Sequence, residues 1–140
     1  MDETAARAAF DTAIGSYTRD FGSFFLARLF GLEIGYGEDS CTVAFEVRDF
    51  MFNPQGSLHG GVIALAMDIA MGHLLARKVG PGATLEMKTQ FLRPVRAGRV
   101  VCEGRFAKQG RSISFLRAEM SDADGKLVAA ATATWTLARA

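Results

Sequence analysis

The chain has 140 residues, 49% of them hydrophobic and 22% charged, which makes one globular domain and is too short for two independently folded catalytic units. Sixteen basic residues against fifteen acidic ones leave a formal charge of +1, so the overall balance gives no sign of a partner such as nucleic acid or an anionic membrane. The start, Met1-Asp2-Glu3, lacks the basic stretch and apolar core of a secretory leader, and the expected location is cytoplasmic.

From Glu3 to about Asp20, Ala6, Phe10, Ala13, Ile14 and Tyr17 recur at helical intervals and predict an amphipathic helix. A second helical piece, Ser23 to Phe30, carries Phe24, Phe25, Leu29 and Phe30 and stops at Gly31, a C-terminal glycine cap. Both read as peripheral covers, so residues 1–30 form an N-terminal helical extension and residues 31–140 the main body. The period then changes to two: Cys41, Val43, Phe45 and Val47 alternate with Thr42, Ala44, Glu46 and Arg48, as in a strand with one buried face, and Leu32 to Tyr36 is its hairpin partner. Cys41 and Cys102 are far apart, match no metal-ligand spacing and read as reduced, buried thiols; no metal is expected.

After a loop from Asp49 to His59, Gly60 to Lys78 predicts a helix that is apolar on nearly every side and must be covered all round. Its most apolar stretch, Val62 to Ala76, is interrupted by Asp68, Gly72 and His73 and is shorter than the roughly 20 residues of a membrane span. Four strands follow, near Thr84 to Leu92, Arg99 to Ala107, Ser112 to Ser121 and Leu127 to Leu137. Turn signals at Pro94 to Gly98, Gln109-Gly110 and Asp122 to Gly125 predict antiparallel neighbours. The expected architecture is α+β, one long central helix wrapped by a curved antiparallel sheet. On the last strand Ala129, Ala131, Ala133 and Trp135 face opposite to Ala130, Thr132 and Thr134, and the small residues there would let the helix approach.

Asp68 is the most informative position, because a carboxylate amid apolar helix residues must be satisfied or used. It is either a buried acid bonded to nearby backbone and hydroxyls, or a catalytic carboxylate in a cleft. Ser57-Leu58-His59-Gly60-Gly61 opens the same helix, and two glycines there let a ligand approach free backbone N–H groups that suit an oxyanion. A tight loop-to-helix turn requires the same glycines. His59 either fixes that loop or moves a proton, and His73 reads as structural. Gly60 and Asp68 are eight positions apart, roughly 12 Å along a helix axis. One chain would struggle to supply both groups to one substrate, whereas a two-fold partner would bring one subunit's Gly60 to the other's Asp68.

Asn53, Gly56, His59-Gly60-Gly61 and Asp68, followed by Thr84-Leu85-Glu86-Met87 and Arg93-Pro94-Val95-Arg96-Ala97-Gly98, resemble the hotdog-fold acyl-CoA thioesterases of the phenylacetate-degradation (PaaI-like) type over roughly Leu32 to Leu137. The resemblance implies a long helix gripped by an antiparallel sheet, a homodimer with a continuous sheet, and often a dimer of dimers. It implies that the Gly60 amide polarises the thioester carbonyl, that Asp68 of the opposite subunit attacks or activates water, and that Asn53 holds the lytic water or the thioester. Thr84 matches the position of an orienting hydroxyl, unless it is an ordinary strand threonine, and His59 would shape the oxyanion loop beside Gly61. Coenzyme A, here part of the substrate and not a cofactor, needs cations for its phosphates. Arg93, Arg96, Arg99, Lys108 and Arg111 crowd two turns, with Arg93 and Arg111 the selected pair. Phe50, Met51 and Phe52 are either acyl-pocket lining or a hydrophobic loop anchor. The expected reaction is hydrolysis of an acyl-CoA, an aryl- or arylacetyl-CoA for preference. The alternatives are a non-catalytic acyl-CoA-binding or sensing protein, against which Asp68 speaks, and a hydroxyacyl thioester dehydratase, against which the motif spacing speaks.

Overall fold

A computed structural model describes residues 1–138, so the last two positions of the expected 31–140 body lie outside the described residues. Helix α1, Glu3–Ser16, starts where the Asp2 carboxylate accepts the Ala5 N–H at 3.0 Å. It ends before the expected Asp20, because Tyr17 turns extended and Thr18 and Asp20 organise a turn of their own. The Thr18 hydroxyl lies 2.9 Å from the Asp20 carboxylate, and the Thr18 N–H donates to the Ser23 carbonyl at 2.8 Å. Helix α2 is Phe25–Leu29, shorter than expected, but its stop is the glycine cap read from the sequence. Gly31 takes φ +62°, with the Leu32 N–H on the Ala27 carbonyl and the Gly31 N–H on the Arg28 carbonyl, the paired bonds of a Schellman motif.

Strands β1, Glu33–Tyr36, and β2, Ser40–Glu46, form the expected hairpin, with Cys41, Val43 and Phe45 fully buried. Both cysteines are free, and burial pushes the Cys41 thiol up to about 11 and the Cys102 thiol up as well. Helix α3, Gly60–Lys78, has the bounds its sequence predicts. Taken whole, it is long and apolar enough to cross a membrane, which the shorter Val62–Ala76 stretch did not suggest. Here the sheet grips it instead, and Ala66, Met67, Ala70, Met71, Leu74 and Leu75 are completely buried.

Strands β3, Gly82–Phe91, β4, Arg99–Lys108, β5, Ile113–Ser121, and β6, Leu127–Leu137, complete a six-stranded antiparallel sheet in the order β1-β2-β4-β5-β6-β3. The β4–β5 and β5–β6 turns join neighbours as expected. The Pro94–Gly98 turn does not, since β3 pairs with β6 and lies at the far edge from β4. This link crosses the end of the sheet. The Leu92 and Arg93 N–H groups bond the Val128 carbonyl, Val95 is buried and accepts the Leu58 N–H, and the Gly98 carbonyl accepts the Val47 N–H on the opposite side. A turn signal marks a change of direction and carries no information on how far the chain travels before pairing again.

The alternation of β6 is as read, with Ala129, Ala131, Ala133 and Trp135 buried and Thr132 exposed. A strand also comes close to the helix backbone on β4, at Gly104, where an added Cβ would lie 2.9 Å from the Ala70 carbonyl carbon and oxygen. A long helix held in a curved antiparallel sheet, with a helical segment ahead of it, is the hotdog fold.

Candidate active site

Most of the helix's apolar side chains face the sheet, but a stripe at helical spacing, Gly61, Leu65, Asp68 and Gly72, stays partly open. Asp68 is therefore half-buried rather than sunk in the core. The Thr84 hydroxyl donates to Asp68 Oδ1 at 2.7 Å, leaving Oδ2 free of that bond. A register irregularity in β3 makes this contact possible. Glu86 and Lys88 sit opposite Thr134 and Thr132 on the outer face, and strict alternation would put Thr84 there too; the extra residue between Thr84 and Glu86 instead sets Thr84 opposite Trp135, on the helix side.

Asp68 and Thr84 sit at a cavity of about 280 Å³ whose other walls include Phe21, Phe24, Ile69 and Trp135. Gly72 is what admits the indole, because a Cβ there would fall 2.6 Å from Trp135 Cη2. His73, buried one turn beyond Asp68, has Nδ1 3.1 Å from the Tyr36 hydroxyl and meets the Phe21 ring edge-on at 5.7 Å between centroids. Burial pushes the His73 pKa down, with the Phe21 backbone acting the other way.

The other end of the stripe is organised around His59, which caps α3: its Nδ1 accepts the Gly61 N–H at 2.8 Å. The Val62 and Ile63 N–H groups go to the His59 carbonyl. Of these first helical amides, Gly60 alone donates to no acceptor among the described residues, and it sits at the positive end of the helix. A Cβ at Gly60 would lie 3.1 Å from the Phe91 ring, so the glycine also seats the end of β3. Asn53 is turned inward on its own loop, with Oδ1 accepting the Gln55 and Ser57 N–H groups and Nδ2 3.2 Å from the Ser57 hydroxyl. Phe52 bridges to Leu58 and packs on the core, as a loop anchor would.

Thr84 and Asp68 are thus brought together in one chain, as are Asn53, His59, Gly60 and Gly61. The two groups stand about 12 Å apart along α3. The basic cluster also divides. Arg93 follows β3 at the Gly60 end, whereas Arg111 lies past β4, whose ten residues separate the ends by roughly 33 Å. Arg99 is paired with Glu33, whose carboxyl this guanidinium holds below its usual range. Sequence reasoning missed Phe21, Phe24 and His73 as neighbours of the acid. The inward side of Trp135 was legible, but nothing local announced that the extension folds back to meet it.

The sequence profile of the thioesterase superfamily matches residues 55–129. A protein of Saccharolobus solfataricus with a provisional esterase name is 39% identical over 87 residues, 60% of this chain, and the match spans only 61% of that relative's length. The medium/long-chain acyl-CoA thioesterase YigI of Salmonella typhimurium is 28% identical over 127 residues, covering 77% of this chain and 82% of the relative. Among solved structures, a phenylacetic acid degradation-related protein of Ralstonia eutropha superposes with a TM-score of 0.74 at 30% identity, over 80% of this chain and 89% of its own.

Proposed function

The chain belongs to the thioesterase superfamily, and we propose that it hydrolyses an acyl-CoA of the aryl or arylacetyl class, in the manner of the PaaI-like enzymes, to the free acid and CoA. The observation that carries this reading is the half-buried Asp68 carboxylate, oriented by Thr84 at the mouth of an apolar cavity. The Gly60 amide supports it as an oxyanion donor free of any other acceptor among the described residues. The Salmonella relative's name supports acyl-CoA hydrolysis, there of medium and long chains, and the Ralstonia protein's name points to phenylacetate degradation.

In this mechanism the thioester oxygen accepts the Gly60 N–H, and charge developing on it in the tetrahedral intermediate is stabilised by the helix end. Asp68 Oδ2 then either attacks the carbonyl carbon or takes a proton from an attacking water. In the first route the C–S bond breaks to release the CoA thiolate and leave a mixed anhydride on Asp68, which water opens. In the second, the proton held by Asp68 passes to the departing sulfur. Rapid quenching that finds the Asp68 peptide heavier by the acyl group marks direct attack. His59 holds the Gly61 amide and leaves Gly60 to the substrate, and Asn53 and Phe52 shape the loop beside them.

The reacting groups meet across a homodimer axis. Strand β3 is an open edge, Gly60 lies against its Phe91 end and Asp68 is bonded at its Thr84 end. Antiparallel pairing of β3 with the partner's copy joins the partner subunit's Gly60 to this chain's Asp68 and makes the sheet continuous. The same pairing carries the partner subunit's Arg93 toward Arg111, reuniting two cations for the CoA phosphates. A dimer of dimers acting in the cytoplasm completes the reading.

The test is thiol release from a panel of aromatic, short-chain and long-chain acyl-CoAs by the native protein and Asp68→Asn. The variant should fold and bind thioester while turnover drops about 10²–10⁴-fold, the range of a lost general base. Unchanged turnover in a folded variant removes Asp68 from the mechanism. Binding without turnover by the native protein points to an acyl-CoA sensor.

A further inference from the structure

The N-terminal segment does more than cover the core. Between α1 and α2 the chain from Tyr17 to Phe24 folds over the C-terminal half of α3, and two of its rings, Phe21 and Phe24, enter the lining of the cavity that holds Asp68. Aromatic contacts fix this strap. The Phe21 ring stands edge-on to buried His73. His73 is itself bonded to the Tyr36 hydroxyl, and the Tyr36 ring lies under the Arg77 guanidinium at 4.4 Å. Phe25, at the strap's far end, packs edge-on against both Phe10 and Tyr17, which ties the strap to α1.

We propose that this strap is one wall of the acyl-binding cavity and that Phe21 and Phe24 set the size of the acyl group accepted at Asp68. The inference rests on the thioesterase reading above and adds to it which half of the substrate lies here and what limits it. Among the described residues, the cavity's ionisable groups are Asp68 and His73, with no Lys or Arg in its lining. A CoA phosphate has no counter-charge in it, while an apolar acyl group meets Phe21, Phe24, Ile69 and the Trp135 indole. Its volume of about 280 Å³ is at the small end for ligand sites, so the closed strap favours a compact acyl group over a long chain. Phe21 is 61% exposed, and trimming it opens the wall without hollowing the core. Phe24 is half-buried and packs on the core as well, which makes it the costlier of the two to change.

The experiment compares Phe21→Ala and Phe21→Trp with the native protein on two substrates, phenylacetyl-CoA and an acyl-CoA with a chain of twelve or more carbons, reading kcat/KM for each. Phe21→Ala should raise the long-to-compact ratio about tenfold or more, the scale on which apolar pockets discriminate by size, and Phe21→Trp should lower it. The same ratio is read without turnover from binding of the matching non-hydrolysable thioether analogues of CoA. If the native protein hydrolyses both substrates through Asp68 and the ratio does not move in folded variants, the wall is refuted and the thioesterase reading stands. If hydrolysis is absent but the binding ratio moves, the wall stands and the hydrolytic reading falls. An unmoved ratio in both assays, or no binding of either analogue, overturns the inference.

Discussion

A Lys88→Cys substitution should let two copies of the chain close a disulfide across the proposed two-fold axis. The position follows from the ladder between β3 and β6. Phe91, which seats Gly60, is opposite Ala129, and Thr84, which holds Asp68, is opposite Trp135. For Phe91 of one strand to face Thr84 of its partner, the axis must pass midway, opposite Thr132, and that residue is Lys88. An axis perpendicular to the sheet leaves each residue on its own face, so a central residue pairs with itself and its side chain is shared on one face. Directly opposed Cα atoms in an antiparallel pair are about 4.5–5.5 Å apart, inside the 4.4–6.8 Å range of disulfides. A register centred two residues away would separate the two copies of position 88 by four residues of strand, about 14 Å, which no disulfide spans. Lys88 is exposed and its two ammonium groups, on long flexible stems, can part into water. Cys41 and Cys102 are buried and do not compete. Mild copper-catalysed oxidation followed by non-reducing electrophoresis reads the outcome, with Glu86→Cys and Gln90→Cys, on the same outer face, as controls. Crosslinking at Lys88→Cys above both controls is expected. A control that crosslinks in its place, or a protein that sediments as a dimer with none crosslinked, refutes this joining of Gly60 to Asp68.

Thr84→Val keeps the shape of the side chain and removes the donor to Asp68. We expect kcat to fall about tenfold, the lower end for a hydrogen bond to a charged group at an exposed site, with KM held and Thr84→Ser restoring activity. Gly104→Ala should destabilise the fold by about 1–3 kcal/mol by overpacking against the Ala70 carbonyl, while Gly22→Ala, with nothing within 4 Å of its added Cβ, should not; thermal melts read both. His73 adds a pH term of defined sign. Its pKa is depressed by burial, so below the unfolded value of about 6.5 the unfolded chain binds a proton that the folded chain does not. The ring is faced by the Tyr36 hydroxyl, with Arg77 on the Tyr36 ring and Asp68 on the same helix, and the Phe21 backbone bonds it and acts against the burial without reversing the shift. Stability should therefore be full above that value and decline as pH falls through it. His73→Gln should show a shallower decline in denaturant titrations at pH 7.5 and 5.5, and an equal decline would exclude His73 as its source.

What could be read from the sequence divides along the range over which each signal acts. The bounds of α3 were legible because the Gly-Gly opening, the unbroken apolar run and the basic last turn all lie within one helix, and the Gly31 stop because a left-handed cap needs only its neighbours. The pairing of β3 was not legible, because Pro94 and Gly98 dictate a turn and leave open whether the next strand is adjacent or three strands away. The order of the strands frees β3 as an edge, whereas the length of β4 alone puts Arg93 and Arg111 at opposite ends of the sheet. The residues on the two ends of that edge are the two halves of the expected chemistry, Gly60 behind Phe91 and Asp68 behind Thr84. A chain that divides its oxyanion donor from its carboxylate by about 12 Å of rigid helix cannot bring them together by flexing. Two copies joined along the edge, as proposed above, would solve the separation twice over, once for each site. The local motif thus names the chemistry, and the order of the strands leaves free the edge along which the proposed pair of chains would perform it.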